Sequence, residues 1–214
     1  MRCLLPLVAA CSSSTLPRSA LPELVVPFGA APVIDGTIDA REWAGAAVVA
    51  LDHDVTLRFM HDRERVYIAV DRPKPTGFVC VLVADGSDVH VLHASAKLGT
   101  ATYVARPNGT YDPKSKDYVW RDRDAMLREQ GWFGTTMHTD APPAQELAIT
   151  LARLRGPIAI SFFHAEPGAD LSAAGTVVWP AGLDDGVANV QLVAGFNPDG
   201  LRFDTTRWVV LKPR

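Results

Sequence analysis

From Pro27 onward the dominant period of the chain is two. Val55, Leu57 and Phe59 alternate with Thr56, Arg58 and Met60, and Val66, Ile68 and Val70 alternate with Tyr67 and Ala69. Such a period sends successive side chains to opposite faces of a sheet. The polar run His61-Asp62-Arg63-Glu64-Arg65 between the two stretches predicts a hairpin. Residues 78–84 (Phe-Val-Cys-Val-Leu-Val-Ala) are apolar at both parities, which predicts a central strand buried on both faces. Asp85-Gly86 marks a turn into a strand over 89–93. Asn108-Gly109 joins residues 101–105 to 110–111 as a second hairpin. Residues 112–117 read as a polar loop, 124–130 as two helical turns, and Pro142-Pro143 as a stop. Further strands are expected at 145–150, 158–164, 176–179, 189–192 and 206–211. Eight to eleven strands with turn signals every 8–12 residues predict an all-β fold. The expected form is a single antiparallel β-sandwich, jelly-roll or immunoglobulin-like, with one or two short helices.

At 214 residues, 48% of them hydrophobic, the chain suits one domain with a full core. Its 21 basic and 24 acidic residues leave a net charge of −3 and no basic stripe, which argues against nucleic-acid binding. No apolar run approaches the ~20 residues of a membrane-spanning helix. Of the three cysteines, only Cys80 lies in the body. It sits in an apolar strand and reads as a buried, inert thiol.

The first ten residues read as an address. Met1-Arg2 is a positive start, Cys3 opens an apolar stretch, and Val8-Ala9-Ala10-Cys11 resembles the lipobox of bacterial lipoproteins. That resemblance implies cleavage after residue 10 and acylation of Cys11. Ser12 then implies sorting to the outer membrane, on its periplasmic or its surface side. Residues 11–26, rich in Ser, Pro and Leu, are expected to be a flexible tether reaching about 45 Å. Residues 27–214 are expected to be the sandwich. Contact with a membrane is expected only through the lipid.

Residues 32–43 read Pro-Val-Ile-Asp-Gly-Thr-Ile-Asp-Ala-Arg-Glu-Trp. Asp35-Gly36 supplies a turn. Asp39 and Glu42 have the spacing of a capping box, and Ile38 and Trp43 that of a hydrophobic staple. A short helix planting Trp43 in the core is expected. The run Ile-Asp-Gly-x-Ile-Asp-x-x-Glu-Trp resembles the opening of family 9 carbohydrate-binding modules and of related DOMON-like sandwiches. Residues 55–59, 62–69 and the strand ending at Asp85-Gly86 resemble that family's early strands. Glu146-Leu147-Ala148-Ile149, with Leu151 and Leu154, resembles a later element. The resemblance spans about residues 32–160. It implies a β-sandwich that binds carbohydrate without catalysis, with aromatic residues forming the sugar platform.

Tyr118, Trp120 and Trp132 fall in the irregular region and are the expected carbohydrate-binding residues, since loops carry function. Tyr103, Tyr111, Trp179 and Trp208 are further aromatics, with Trp208 expected as strand core in residues 208–211. The alternative reading is an envelope protein-interaction domain that has lost the sugar site. It is favoured by the missing Trp-rich and Phe-Gly stretch that the family carries near its C-terminus, of which residues 176–180 read as a diverged counterpart; Thr150 also stands where the family usually has proline. A haem-binding DOMON-like domain is the third, with Met60, Met137, His138 and His164 as conceivable ligands. His90 and His93, three apart on one strand, point to opposite faces and cannot share a metal. Structural calcium is a possibility the resemblance raises for Asp52-His53-Asp54, Asp85-Gly86-Ser87-Asp88 and Asp184-Asp185-Gly186. No catalytic signature occurs. Glu146 and Glu166 as a glycosidase pair is the least favoured reading, so no enzyme activity is expected.

Overall fold

A computed structural model describes residues 20–72, 77–117, 123–136, 144–164, 175–183, 186–190 and 200–214. Two antiparallel sheets stack face to face. One joins β2 (Ala47–Ala50), β3 (Thr56–His61), β4 (Arg65–Asp71), β10 (Ala144–Thr150) and β9 (Trp132–Gly134) in the order β2-β3-β4-β10-β9. The other joins β12 (Gly175–Trp179), β11 (Ile158–His164), β5 (Gly77–Asp85), β6 (Asp88–Ala94), β7 (Leu98–Ala105) and β8 (Tyr111–Asp117) in the order β12-β11-β5-β6-β7-β8. The central core lies between them. Leu57, Phe59, Ile68, Leu147 and Ile149 from the first sheet meet Val79, Val81, Val83, Ile160 and Phe162 from the second.

Strand parity explains this placement. Odd-numbered residues of β5 enter the central core, while Cys80, Leu82 and Ala84 enter a second core on the outer face. Leu183, Val187, Val190, Leu201, Phe203 and Trp208 roof that face. A third core covers the outside of the five-stranded sheet, where Ile34 and Trp43 lie on Met60, Tyr67, Ala69 and Ala148. The described architecture is therefore roof, sheet, sheet, roof.

The hairpins follow local chemistry. Gly109, at φ 78°, takes the left-handed position that the turn into β8 requires. Asn108 Oδ1 accepts from the backbone N–H of Thr110 at 3.0 Å and from its hydroxyl at 2.7 Å. Arg106 and Asp112 pair across the same hairpin. Helix α1 (Arg123–Gln130) buries Met126 against the central core.

Several expectations are corrected. Residues 112–117 are strand β8, not a loop. β8 is an edge strand, so Pro113 is tolerated beside the register shift at Thr102/Tyr103. The expected tether ends earlier than residue 26. Glu23–Val26 forms β1, which pairs in parallel with β13 (Val210–Pro213) and buries Val26. Four residues bracketed by Pro22 and Pro27 are too short to show a period. Asn189 closes a short helix α2 (Gly186–Asn189) rather than opening a strand, and residues 191–192 lie outside the described set. Thr205–Arg207 is a single 3₁₀ turn, with Asp204 accepting from the Thr206 N–H at 3.3 Å, so strand begins only at Val210. Asp39 starts one turn and no longer helix: the Trp43 N–H reaches the Asp39 carbonyl at 3.1 Å. The capping box is not formed, because Glu42 Oε2 accepts from the Val33 N–H at 3.1 Å instead.

Gly156 marks a close approach between the β10–β11 connection and β5, where an added Cβ would overlap the Ala84 carbonyl. Backbone cannot yield as a flexible side chain would. Gly156→Ala is expected to lower stability by about 1–3 kcal/mol, the usual cost of overpacking, as a shift in urea midpoint at unchanged slope.

Candidate functional site

Glu146 is fully buried on β10, at the outward parity of the five-stranded sheet. Its Oε2 accepts from the N–H groups of Asp35 at 2.9 Å and Gly36 at 2.6 Å, and its Oε1 accepts from the Trp43 indole N–H at 3.0 Å. The Glu146 N–H in turn donates to Thr135 Oγ1 at 3.0 Å. Burial pushes the carboxyl above its ordinary range, and the donors from Gly36, Asp35 and Trp43 pull it back. This arrangement ties the Asp-Gly turn and Trp43 down onto the sheet. It also engages both carboxyl oxygens, so Glu146 is a structural acceptor and not an acid facing a substrate. Glu166 lies outside the described residues.

The expected sugar platform is corrected at Trp132. Its ring is fully buried on β9 and its indole N–H donates at 3.0 Å to Thr100 Oγ1 on β7, a hydrogen bond that spans the two sheets. A ring without solvent access cannot stack on a sugar. Tyr118, Trp120 and Cys11 lie outside the described residues, as do Met137, His138 and the pair Asp184-Asp185. Tyr103, Trp179 and Trp208 are core, and Tyr111 is half-buried with its ring edge-on to Phe203. Met60 is buried in the third core. The outer roofs, which the two-period pattern does not show, account for the burial of Tyr103, Trp208 and Met60, whereas Trp132 and Trp179 lie in the central core between the sheets.

His90 and His93 do face opposite ways. His90 Nδ1 lies 3.1 Å from Thr102 Oγ1, and His93 Nδ1 lies 3.2 Å from Cys80 Sγ in the second core. Burial pushes the Cys80 thiol well up and His93 down to about 4. The pair is therefore a thiol beside a neutral imidazole, with no thiolate to act as nucleophile or ligand. Phe78 and Phe163 stack beside it with ring centroids 4.8 Å apart. Among the described residues no group of three or more His, Cys, Asp or Glu side chains is placed to hold a metal, and no helix is long and apolar enough to cross a membrane.

One cleft combines polar and apolar walls at the margin of the sandwich. It has a volume of about 320 Å³ and lies between the end of β2 and β12, lined by Leu51, Asp52, His53, Thr176, Val177 and Gly182 among others. Its rim is a turn in which the Val55 N–H reaches the Asp52 carbonyl at 3.4 Å. His53 and Asp54 hold φ angles of 60° and 56°, left-handed values that non-glycine residues rarely take in succession. Such a turn matches the twist of a hairpin, but glycine or asparagine usually fills it. The cleft lies at the lower end of the ~300–1,000 Å³ typical of small-ligand pockets. Sequence reasoning noted Asp52-His53-Asp54 only as an acidic cluster, because its proximity to Thr176 depends on stacking of the two sheets.

The fold and this margin define the chain as a β-sandwich with both outer faces covered. No family model matches the chain, and no curated protein matches it. Among solved structures, it is similar to a carbohydrate binding module of family 9 from Caldicellulosiruptor kristjanssonii in complex with cellotriose. The identity is 19% and the TM-score 0.42, over 90% of this chain and 94% of that one.

Glu146→Gln retains one acceptor oxygen and turns an amide group towards a donor. It is expected to cost about 1–3 kcal/mol, the penalty of an unsatisfied buried group, and Glu146→Ala more. The raised carboxyl holds its proton more tightly in the folded chain than in the unfolded one. Its contribution is thus fullest below the ordinary carboxylate value and declines as pH rises through the raised one. The margin of the wild type over Glu146→Gln should shrink along that rise in paired urea titrations.

The rim gives a second test. A left-handed L-residue costs about 1–2 kcal/mol, and glycine's looser unfolded chain cancels roughly 0.5–1 of that. Asp54→Gly should therefore stabilise the free protein by up to about 1 kcal/mol, read as a raised melting temperature.

Proposed function

We propose that this chain is a non-catalytic binding module for carbohydrate, or a similar polar ligand, held at the bacterial cell envelope by an acylated Cys11. The observation that carries the reading is the buried knot at Glu146. The two stretches whose residues resemble family 9 modules, the Ile34-to-Trp43 opening and the Glu146 element, are separated by 110 positions at Gly36 and meet through hydrogen bonds. That contact supports the resemblance as one of shared internal architecture. Architecture alone does not establish a ligand. The margin cleft supplies a place for one: a carboxylate at Asp52 and a hydroxyl at Thr176 suit sugar hydroxyls, and Leu51 and Val177 suit the apolar edge of a pyranose ring.

A second reading, an envelope protein-interaction domain, is favoured by β2. This edge strand reads Ala-Val-Val-Ala, carries no charge and leaves Val48 55% exposed. Protected edges usually carry a charge or a proline.

The deciding experiment is a thermal melt against soluble glucan, xylan and chitin oligosaccharides, with and without calcium. A binding sugar at 100 times its Kd is expected to stabilise the fold by about 2.7 kcal/mol. The response should be lost in Asp52→Ala and Thr176→Ala if the margin cleft is the site. A response that survives both variants would keep the function and move the site. A flat panel with calcium present would overturn the sugar reading.

A further inference from the structure

His61 closes the strand that meets both ends of the described chain. Its backbone N–H donates to the Pro27 carbonyl at 3.0 Å, and its own carbonyl accepts from the Gly29 N–H at 2.9 Å. The Arg214 N–H donates to the Val26 carbonyl at 3.1 Å. The imidazole, 7% exposed, lies between two further main-chain oxygens, the Asp62 carbonyl and the carboxylate of Arg214, the last residue of the 214. Nδ1 is 2.6 Å from the Asp62 oxygen and Nε2 is 2.8 Å from the Arg214 oxygen. The Phe28 ring packs edge-on against it at 5.5 Å.

Carbonyl and carboxylate oxygens accept hydrogen bonds and cannot donate. A neutral imidazole has one N–H, so it satisfies one of these oxygens and turns a lone pair towards the other. Only the imidazolium donates to both, and histidine is the side chain whose charge ordinarily changes between about pH 5 and 8. We propose that His61 is a proton-operated latch that fastens β13, and through it β1, to the end of β3. When protonated, His61 holds the Arg214 carboxylate with a charge-assisted bond. When neutral, it releases one of its two acceptors and β13 frays.

The charged groups on the elements packed here are the Arg214 carboxylate itself, Glu23 on β1, the Lys212 and Arg214 side chains on or beside β13, and Asp62, Glu64 and Arg65 at the β3–β4 turn. Glu23 pairs with Lys212 at 3.3 Å. Asp62 is taken up by the Tyr67 hydroxyl at 2.5 Å and by the N–H groups of Glu64 and Arg65. These carboxylates thus have partners of their own. The latch bears on the N-terminal segment as well, because the Val210 N–H donates to the Pro22 carbonyl at 2.8 Å. Release of β1 would lengthen the segment leading into the sandwich.

The test is amide exchange in the full chain, as protection factors at about pH 5 and about pH 8. Protection at Val210 and Arg214 is expected to fall about tenfold at the higher pH, the equivalent of losing one hydrogen bond to a charged group. Val81, in the centre of β5, should not follow that fall. His61→Gln should show the low protection at both pH values. Equal wild-type protection at both, or the same fall in His61→Gln, would overturn the proposal. A direct reading, independent of whether the variant folds, is the nitrogen resonances of the His61 ring. Both nitrogens should be protonated at about pH 5. A singly protonated ring with Arg214 still protected would also overturn the latch.

Discussion

A carboxylate removed from water must be given donors, and Glu146 receives three. The Asp35 and Gly36 amides fix the Asp-Gly turn, and the Trp43 indole fixes the ring that roofs the five-stranded sheet. Without this acceptor three donors would be left in an apolar layer. With it, an irregular segment lacking regular hydrogen-bond ladders has a defined position. The third core assembles around that position: Trp43 excludes water from Met60, Tyr67 and Ala148, and Ile34 seals the margin. Specificity here comes from a polar group in an apolar setting, as expected where the network is fully satisfied.

The second sheet is covered differently. Its roof is built from Leu183, Val187, Val190, Leu201, Phe203 and Trp208 by apolar contact, with Phe203 edge-on to Tyr103 and Trp208. The two sheets are also cross-linked through polar atoms at one end. Trp132 reaches Thr100, and Gln145 Nε2 donates at 2.9 Å to the Ala94 carbonyl. These bonds are directional, whereas the aliphatic pairs around them are not, so they help to fix how the sheets lie across one another.

Legibility in the sequence follows from where a single period suffices. The strands from β3 to β7 run six to nine residues, and each was readable, by alternation or, in β5, by an unbroken apolar run. The strand β8 was not, because Asp112, Lys114 and Lys116 give an edge strand the composition of a loop. Trp132 sits in a three-residue strand, too short to announce its parity, and its indole partner is on the other sheet. The same limit applied to the sites. Asp52 and Thr176 come together only through sheet stacking, and the acceptor role of Glu146 depends on a turn more than a hundred residues earlier. The visible signal was a lone Glu at the parity of Ala148, in a strand otherwise apolar beyond Gln145.

The parallel pairing of β1 with β13 joins strands from nearly opposite ends of the chain. Contacts of such wide sequence separation close late, because loop entropy must be overcome before they give any return. The hairpins of both sheets can form from local sequence, but the place of Leu24 and Val26 on the central core stays open until residue 211 has been made. A chain emerging residue by residue would thus carry an unfinished hydrophobic seam until β13 follows. Its first strand would be free to engage other machinery before its own partner exists.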